Sequence, residues 1–281
     1  MKCKVKRTKR YKLMIGILLV FIIGILLVPK VHFNYIGYKS KKELFKSSSI
    51  IDINDLEFKG LSLIDSDLDE NEIFFAGENH GSIKSIEMNM YLLKYFVEKG
   101  NIKYILYEDG YCTGEFLNNY LETGDEDILS FIQDDLRGTS SYTMEHYNLL
   151  KNIYAYNLSL PEDKKLKFVG VDIEQQPNVA IRYIKSLIPD KKIEDENVKE
   201  FVDDYFNGKV YNPTGGNSYP ASNIISPSFY SEDELTRLVK LNYEGSIFNK
   251  KNIWLDDVPQ TDYFQYIIMF NNSEAANKYY R

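Results

Sequence analysis

The stretch Glu72-Ile-Phe-Phe-Ala-Gly-Glu-Asn-His-Gly-Ser82 decides how the fold of this 281-residue chain is interpreted. Residues 72–76 form a short apolar run typical of a buried strand, and a polar corner at 77–81 follows directly. The two glycines of the corner permit a tight turn or a close approach to a ligand. The sequence therefore predicts a strand whose carboxyl end presents Glu78 and His80, where open α/β sheets bind ligands.

Of the three histidines, His80 is the first candidate for proton transfer or metal binding, because an acid and two glycines surround it. His32 lies beside an apolar N-terminal run. His146 shares a helical face with apolar residues, so we expect it to pack in the fold. The alternative interpretation of the corner is a turn that carries a solvated histidine.

The composition is that of a folded globular protein, with 44% hydrophobic and 27% charged residues. The length allows one sizeable domain in addition to an N-terminal segment. The whole chain has a net charge of −7, although residues 1–12 contain seven Lys or Arg and no acid. The rest of the chain is therefore strongly acidic. An acidic body argues against a nucleic acid partner. Cys3 and Cys112 are the two cysteines, so no disulfide is expected within the domain.

Residues 13–28 are an unbroken apolar run behind the basic tail, closed by Pro29 and Lys30. Because no small-residue cleavage site follows, the pattern predicts an uncleaved transmembrane anchor at 13–31, and a cleaved secretory signal is the alternative. The basic flank favours a cytoplasmic N-terminus. We therefore expect a single-pass cell-membrane protein with its domain outside and the lipid bilayer as a partner. The predicted organisation is a basic cytoplasmic tail at 1–12, the anchor at 13–31, a stalk at 32–70 and an α/β domain at 71–281.

Three units of a strand followed by a helix predict the architecture of that domain. The strands are 72–76, 103–107 and 167–171. The first helix spans 82–99, the second begins at Phe116 and is closed by Gly124, and the third spans 178–187. Such alternation indicates parallel pairing with right-handed crossovers. The predicted fold class is α/β, with a largely parallel sheet from repeated βα units, preceded by one N-terminal transmembrane helix.

The C-terminal third has weaker patterns. A capping box at 231–234 predicts a helix that extends to Leu241. A final apolar run at 263–270 predicts a buried strand that closes the sheet.

Acids follow all three predicted strands, and the carboxyl ends of parallel strands share one edge of a sheet. We therefore expect these side chains to converge beside His80 in one pocket. The predicted catalytic residues are Glu78, His80 and Glu108, and the predicted substrate-binding residues are Asp109, Asp172 and Glu174. Helix caps and solvated loop charges are the ordinary alternative for any one acid.

Four segments resemble, in order, the motifs of the erythromycin esterase family. They are Gly77-Glu78-Asn79-His80-Gly81, Tyr107-Glu108, Tyr156-Asn157 and Val169-Gly170-Val171-Asp172. The resemblance covers about residues 72–187 and implies an α/β hydrolase of an ester or lactone. It also implies that His80 acts as the general base on water without a metal or other cofactor, that Glu78 is the acid of the same motif, and that Glu108 is the glutamate after the second strand.

The chain also departs from that family, whose members carry a second histidine and an arginine in their C-terminal half. No histidine follows His146 here, so we expect part of the oxyanion-binding machinery to be lost. Two alternatives to a membrane-anchored esterase stay open. One is a metal- or haem-binding module, in which His80, Glu78, Glu108 and Asp172 would suit Mg, Ca or Mn. The other is a membrane-tethered module of the same fold without turnover.

Overall fold

The computed structural model describes residues 14–17, 24, 42, 44–187, 196, 199–200, 236–244, 265–270 and 273–279. The chain divides into two compact units. We call Met1–Ile51 with Ile224–Asn271 the sheet unit, and Asp52–Asn223 with Asn272–Arg281 the helical unit.

The described elements are numbered in chain order. The strands are β1 (Ser48–Ile51), β2 (Tyr104–Tyr107), β3 (Lys167–Gly170), β4 (Thr236–Lys240) and β5 (Tyr266–Met269). The α-helices are α1 (Asp65–Leu68), α2 (Ile83–Gly100), α3 (Tyr111–Thr123), α4 (Glu126–Asp135), α5 (Met144–Ser159) and α6 (Pro177–Leu187). Three 3₁₀ turns span Phe45–Ser47, Lys59–Ile64 and Glu162–Lys164.

The sheet unit contains a three-stranded antiparallel sheet in the order β1-β4-β5. The prediction of a helix up to Leu241 is wrong for residues 236–240, which form the central strand β4. The capping box at 231–234 lies outside the described residues. Thr236 and Val239 favour an extended backbone, and β4 has ladder partners on both sides. The predicted C-terminal strand exists as β5, but it pairs antiparallel with β4 and does not close a parallel sheet.

The helical unit contains β2 and β3, which pair in parallel from Tyr104↔Lys167 to Tyr107↔Gly170. Helices α3 to α6 bury their apolar faces around this pair. The most deeply buried members of the shared core include Leu117, Tyr120, Leu129, Leu150, Phe168 and Val179. The unit is therefore a helical core built around two parallel strands.

The predicted fold class was wrong, because only two of the five described strands are parallel and residues 72–76 form no strand. Ile73 is 58% and Phe75 92% exposed, whereas Phe74 stacks on Phe96 of α2 with ring centroids 4.6 Å apart. A run of four apolar residues, 73–76, cannot by itself distinguish a buried strand from a segment that places one side chain in an aromatic contact.

No helix in the described ranges is long and apolar enough to cross a membrane. A span needs about 20 consecutive apolar residues. The predicted transmembrane helix at 13–31 is therefore not supported by the structure. The same holds for the predicted single-pass cell-membrane location with the domain outside. Of that range, the structure describes 14–17 and 24, and the rest lies outside the described residues.

Residues 273–279, which we call the C-terminal strap, run along the starts of α2 and α5. Isolated β-bridges join Ser82 to Ala275 and Thr143 to Lys278. Tyr279 is only 5% exposed and belongs to the core of the helical unit. The strap thus connects two helices that are distant in sequence.

The start of α3 packs against the end of β3 at a pair of glycines. A Cβ atom on Gly170 would overlap the Gly110 carbonyl and lie 2.8 Å from Tyr111 N. A Cβ atom on Gly114 would lie 2.6 Å from Gly170 N. The contact is therefore between backbones and leaves no room for a side chain.

We expect Gly170→Ala to lower the free energy of unfolding by about 2 kcal/mol or more, because the added methyl group must displace backbone atoms. Urea unfolding of the full chain measures the effect. Gly77→Ala is the matched control, since a Cβ there meets no atom within 4 Å. Equal effects of the two substitutions would show that the close approach does not constrain the fold.

Candidate functional site

The polar corner turns into α2 at Gly81, whose φ of +73° is a conformation that glycine adopts without strain. Ser82 is the N-cap of α2 and accepts a hydrogen bond from Ser85 N. The cap determines where the helix starts. It thereby places Glu78 and His80 immediately before the first turn.

Glu78 and His80 form a hydrogen-bonded pair. His80 Nδ1 lies 3.1 Å from Glu78 Oε1, and Asn89 of α2 donates from Nδ2 to Glu78 Oε2 at 2.7 Å. An ionised carboxylate only accepts hydrogen bonds, so the proton of the neutral imidazole lies on Nδ1. The lone pair on Nε2 is then left for chemistry. The His80 side chain is 50% exposed, so water can reach it.

His146 of α5 belongs to the same electrostatic neighbourhood. Burial lowers the pKa of His146; the Glu78 charge opposes this shift and His80 adds to it. Burial raises the pKa of Tyr107, and the charges of Asp109 and Glu78 raise it further. Both groups are therefore neutral near pH 7. The two histidines, 66 positions apart in the sequence, are thus close enough for their charges to interact.

The Tyr107 hydroxyl lies 2.7 Å from His146 Nε2, and the two rings stack at 6.3 Å. Within the described part of the chain, the buried His146 Nδ1 has no hydrogen-bond partner. If the Tyr107 hydroxyl donates to Nε2, the imidazole proton lies on Nδ1, and only this N–H lacks a partner. If Nε2–H donates to the hydroxyl oxygen instead, both the Nδ1 lone pair and the hydroxyl hydrogen lack partners. Because each buried unpaired group costs about 1–3 kcal/mol, we assign Tyr107 as the donor.

Sequence reasoning expected His146 to pack in the fold, and it is largely buried. The pattern did not reveal its proximity to the corner. Its position in the first turn of α5, after the N-cap Thr143, was the available signal. A first-turn residue lies at the end of a helix, where loops from other elements also meet.

Glu108, the third predicted catalytic residue, is exposed directly after β2. It follows Tyr107, which contacts Phe168 and the core. Its participation with Glu78 and His80 stays a prediction.

Asp109 is buried after β2 and is fully engaged by its neighbours. Its Oδ1 accepts from Gly110 N at 2.9 Å and its Oδ2 from Gln176 Nε2 at 2.7 Å. Burial raises the pKa of Asp109 to about 6, and the charge of Glu174 adds to the shift. Hydrogen bonds from Gly110, Thr113 and Gln176 act in the opposite direction.

The other two predicted substrate-binding acids also hold the loops after β2 and β3. Glu174 Oε1 accepts from Cys112 N at 2.6 Å. Asp172 Oδ1 accepts from Ile173 N, and the Asp172 N–H donates to the Asp109 carbonyl at 3.0 Å. Within the described residues, the buried Glu174 Oε2 has no hydrogen-bond partner. Substrate binding by these acids stays a prediction.

The thiol of Cys112 is not a nucleophile at neutral pH. Burial raises its pKa to about 12, and a hydrogen bond with Glu174 and the charge of that carboxylate contribute. The thiol therefore stays protonated.

Nowhere in the described ranges do three or more His, Cys, Asp or Glu side chains form a group that could hold a metal ion. The alternative metal set of His80, Glu78, Glu108 and Asp172 is thus not assembled in this structure.

No family model matches the chain, and no curated protein matches it. Solved structures similar to part of it include a succinoglycan biosynthesis protein, with a TM-score of 0.47 and 24% identity over 60% of this chain and 44% of that one. Another is a Bacillus cereus protein, with a TM-score of 0.42 and 21% identity over 61% of this chain and 41% of that one. The chain thus spans less than half the length of both. The resemblance to the erythromycin esterase family stays a prediction.

We expect the stability of the helical unit to depend on the protonation of Asp109. Its folded-state pKa of about 6 lies above the unfolded value of about 3.9, so the protonated form favours folding. This contribution is fully present below about pH 4 and is lost as the pH rises through about 6. The loss amounts to about 3 kcal/mol, for a difference of about two pKa units at roughly 1.4 kcal/mol each.

Urea unfolding at pH 4 and pH 7 measures this effect in the wild type and in Asp109→Asn. The asparagine cannot ionise, so the variant should gain stability relative to the wild type as the pH rises. A difference between the two proteins that does not change with pH would contradict the prediction.

Proposed function

We propose that the helical unit is a hydrolase of an ester or lactone, in which His80 acts as the general base on a water molecule. The observation that carries the proposal is the bond between His80 Nδ1 and Glu78 Oε1, because it leaves Nε2 as a free base. The resemblance of the corner to the erythromycin esterase motif supports the same chemistry. The substrate class is a small molecule with an ester or lactone bond.

In the proposed reaction, His80 Nε2 accepts a proton from water while the water oxygen attacks the carbonyl carbon. A tetrahedral oxyanion forms, and the imidazole becomes an imidazolium. When the carbon–oxygen bond to the leaving group breaks, the imidazolium returns the proton to the departing alkoxide. The products are a carboxylic acid and an alcohol, and His80 is neutral again.

Glu78 stabilises the imidazolium that forms in this step. Its described partners are His80 and the neutral amide of Asn89, so no cation among them competes for the charge of the carboxylate. Asn89 is a positioning residue, since it holds the second oxygen of Glu78 and thereby orients the first one towards His80.

Stabilisation of the oxyanion is the weaker part of the proposed mechanism. Two arginines of the helical unit that could act as donors have other contacts: Arg137 bonds to Asp134 at 3.5 Å, and Arg182 lies over the Phe131 ring at 4.3 Å. A lost oxyanion donor typically reduces the rate by about 10²–10³-fold. We therefore expect slow turnover.

We expect His80→Gln to reduce ester hydrolysis by about 10²–10⁴-fold, because it removes the base. Release of nitrophenol from short-chain nitrophenyl esters by the purified full chain measures the rate. His32→Gln is the matched control and should retain the wild-type rate. Chelators should have no effect on a metal-free reaction.

If both histidine variants and the wild type are equally inactive on every ester and lactone tried, the hydrolase proposal falls and a binding module without turnover is left. If chelation stops turnover and added Mn²⁺ or Mg²⁺ restores it, the general-base assignment is wrong.

We expect Asn89→Ala to lower kcat by roughly tenfold with little change in KM, because a misoriented Glu78 affects the transition state more than substrate binding. Asn119→Ala, at an exposed position of α3, is the control. A rise in KM with kcat unchanged would place Asn89 in substrate binding and contradict its positioning role.

A further inference from the structure

We infer that the C-terminal strap is a positioning element, which caps α2 and α5 together and so fixes His80 relative to His146. Its catalytic consequence rests on the proposed function, whereas its structural consequence does not. The inference depends on the hydrogen bonds that the strap makes at the two helix starts.

The first turn of α2 is satisfied from the strap. The first N–H groups of a helix have no acceptor within the helix itself. Ile83 N donates to the Glu274 carbonyl at 3.1 Å, and Lys84 N donates to Ser273 Oγ at 3.1 Å. The Ser273 hydroxyl also lies 2.7 Å from the Oγ of the N-cap Ser82. Two strap residues therefore complete the cap of α2.

Another strap residue, Ala276, contacts the corner itself. Ala276 N donates to the Gly81 carbonyl at 2.8 Å. Gly81 is bonded directly to His80 and carries the positive φ that turns the chain into α2. The bond to Ala276 consequently restrains Gly81, the residue that directly follows the proposed base.

At α5 the strap supplies the corresponding contacts. Met144 N donates to the Asn277 carbonyl at 2.9 Å. Asn277 donates from its backbone N to Glu145 Oε2 at 2.7 Å, and from its side-chain amide to Glu145 Oε1. Glu145 directly precedes His146, so this end of the strap restrains the second histidine.

Tyr279 anchors the strap in the core. Its N–H donates to the Tyr142 carbonyl at 3.2 Å, and its ring lies 5.5 Å from the Tyr142 ring and 5.1 Å from the Tyr147 ring. The strap therefore has one end in the core and the other at the cap of α2. Its displacement would free the corner and the start of α5 to move independently.

The electrostatic coupling between the two histidines reports their relative position. His80 lowers the pKa of His146, so His80→Gln should raise it in the wild-type background. The other groups that act on His146 are Glu78, through its charge, and Tyr107, through its hydrogen bond. Tyr107 is unchanged in this comparison, and Glu78 loses its bond to His80 but keeps the one from Asn89. Side-chain ¹H–¹⁵N spectra of the full chain at a series of pH values measure the shift.

Ala276→Pro removes the N–H that holds Gly81, while a proline suits the extended chain before it. Ala275→Pro is the matched control, because the N–H of Ala275 takes no part in the strap bonds described above. We expect the response of His146 to His80→Gln to be lost in Ala276→Pro and kept in Ala275→Pro. Retention of the response in Ala276→Pro, or its loss in both variants, would overturn the inference.

A second pair of variants decides the question if Ala276→Pro does not fold by circular dichroism. Asn277→Ala removes the hydrogen bond that the side-chain amide of this strap residue donates to Glu145 of α5. Asn178→Ala removes the same kind of bond elsewhere, because Asn178 also donates its backbone N and its side-chain amide to one carboxylate, that of Asp135. The strap variant should weaken the response of His146, and the Asn178 variant should not. Equal responses in the two would refute the inference.

Hydrolysis provides a separate measurement. If the proposed function holds, Ala276→Pro should lower kcat by up to about 10²-fold, the cost of a small misplacement of a catalytic group, and Asn178→Ala should not. An inactive wild type with intact coupling between the histidines would refute the hydrolase and leave the strap established. An active wild type in which the response of His146 to His80→Gln does not depend on the strap would support the hydrolase and refute the strap inference.

Discussion

The first-turn N–H groups of α2 and α5 are the constraint on which the candidate site depends. A helix cannot satisfy these donors from its own residues, and burying them unpaired costs free energy. Here the seven-residue strap supplies acceptors to both helices, at Ile83 and Lys84 of one and Met144 of the other. Because the corner precedes one helix and His146 lies in the first turn of the other, the same bonds that stabilise the helices also set the geometry of the histidines.

Carboxylates with similar positions in the sequence have different tasks in the structure. Glu78 bonds to the imidazole of His80, which is half exposed. The charge of Glu78 is therefore available to stabilise a proton that the imidazole takes from water. Asp109 is buried, and its two oxygens accept from Gly110 and Gln176. Burial, which raises the pKa of Asp109, makes its ionised form costly in the fold. The partners of an acid, more than its place after a strand, therefore indicate whether it suits chemistry or architecture.

Local sequence patterns predicted several elements of the helical unit well, above all the long helix α2. Helix α2 was expected at 82–99 and is found at Ile83–Gly100, and β2 and β3 are found within their predicted ranges. Short apolar runs were less informative. Residues 72–76 had the composition of a strand but have no ladder partner, because pairing depends on a neighbouring edge that no local pattern specifies. The predicted helix is replaced by β4 over 236–240 for the same reason, since two ladders outweigh a local helix signal, and the capping box at 231–234 lies outside the described residues.

The sequence by itself determined the chemistry available at the corner: a histidine two residues from a glutamate, glycines that allow the turn, and a serine that caps the next helix. Those features depend on neighbours within a few residues. Only the tertiary structure decided that His146 and Tyr107 lie in the field of Glu78, and that a segment almost 200 residues downstream holds Gly81. Such contacts form between elements distant along the chain, so their geometry follows from how helices and strands pack and not from the order of residues within any one of them.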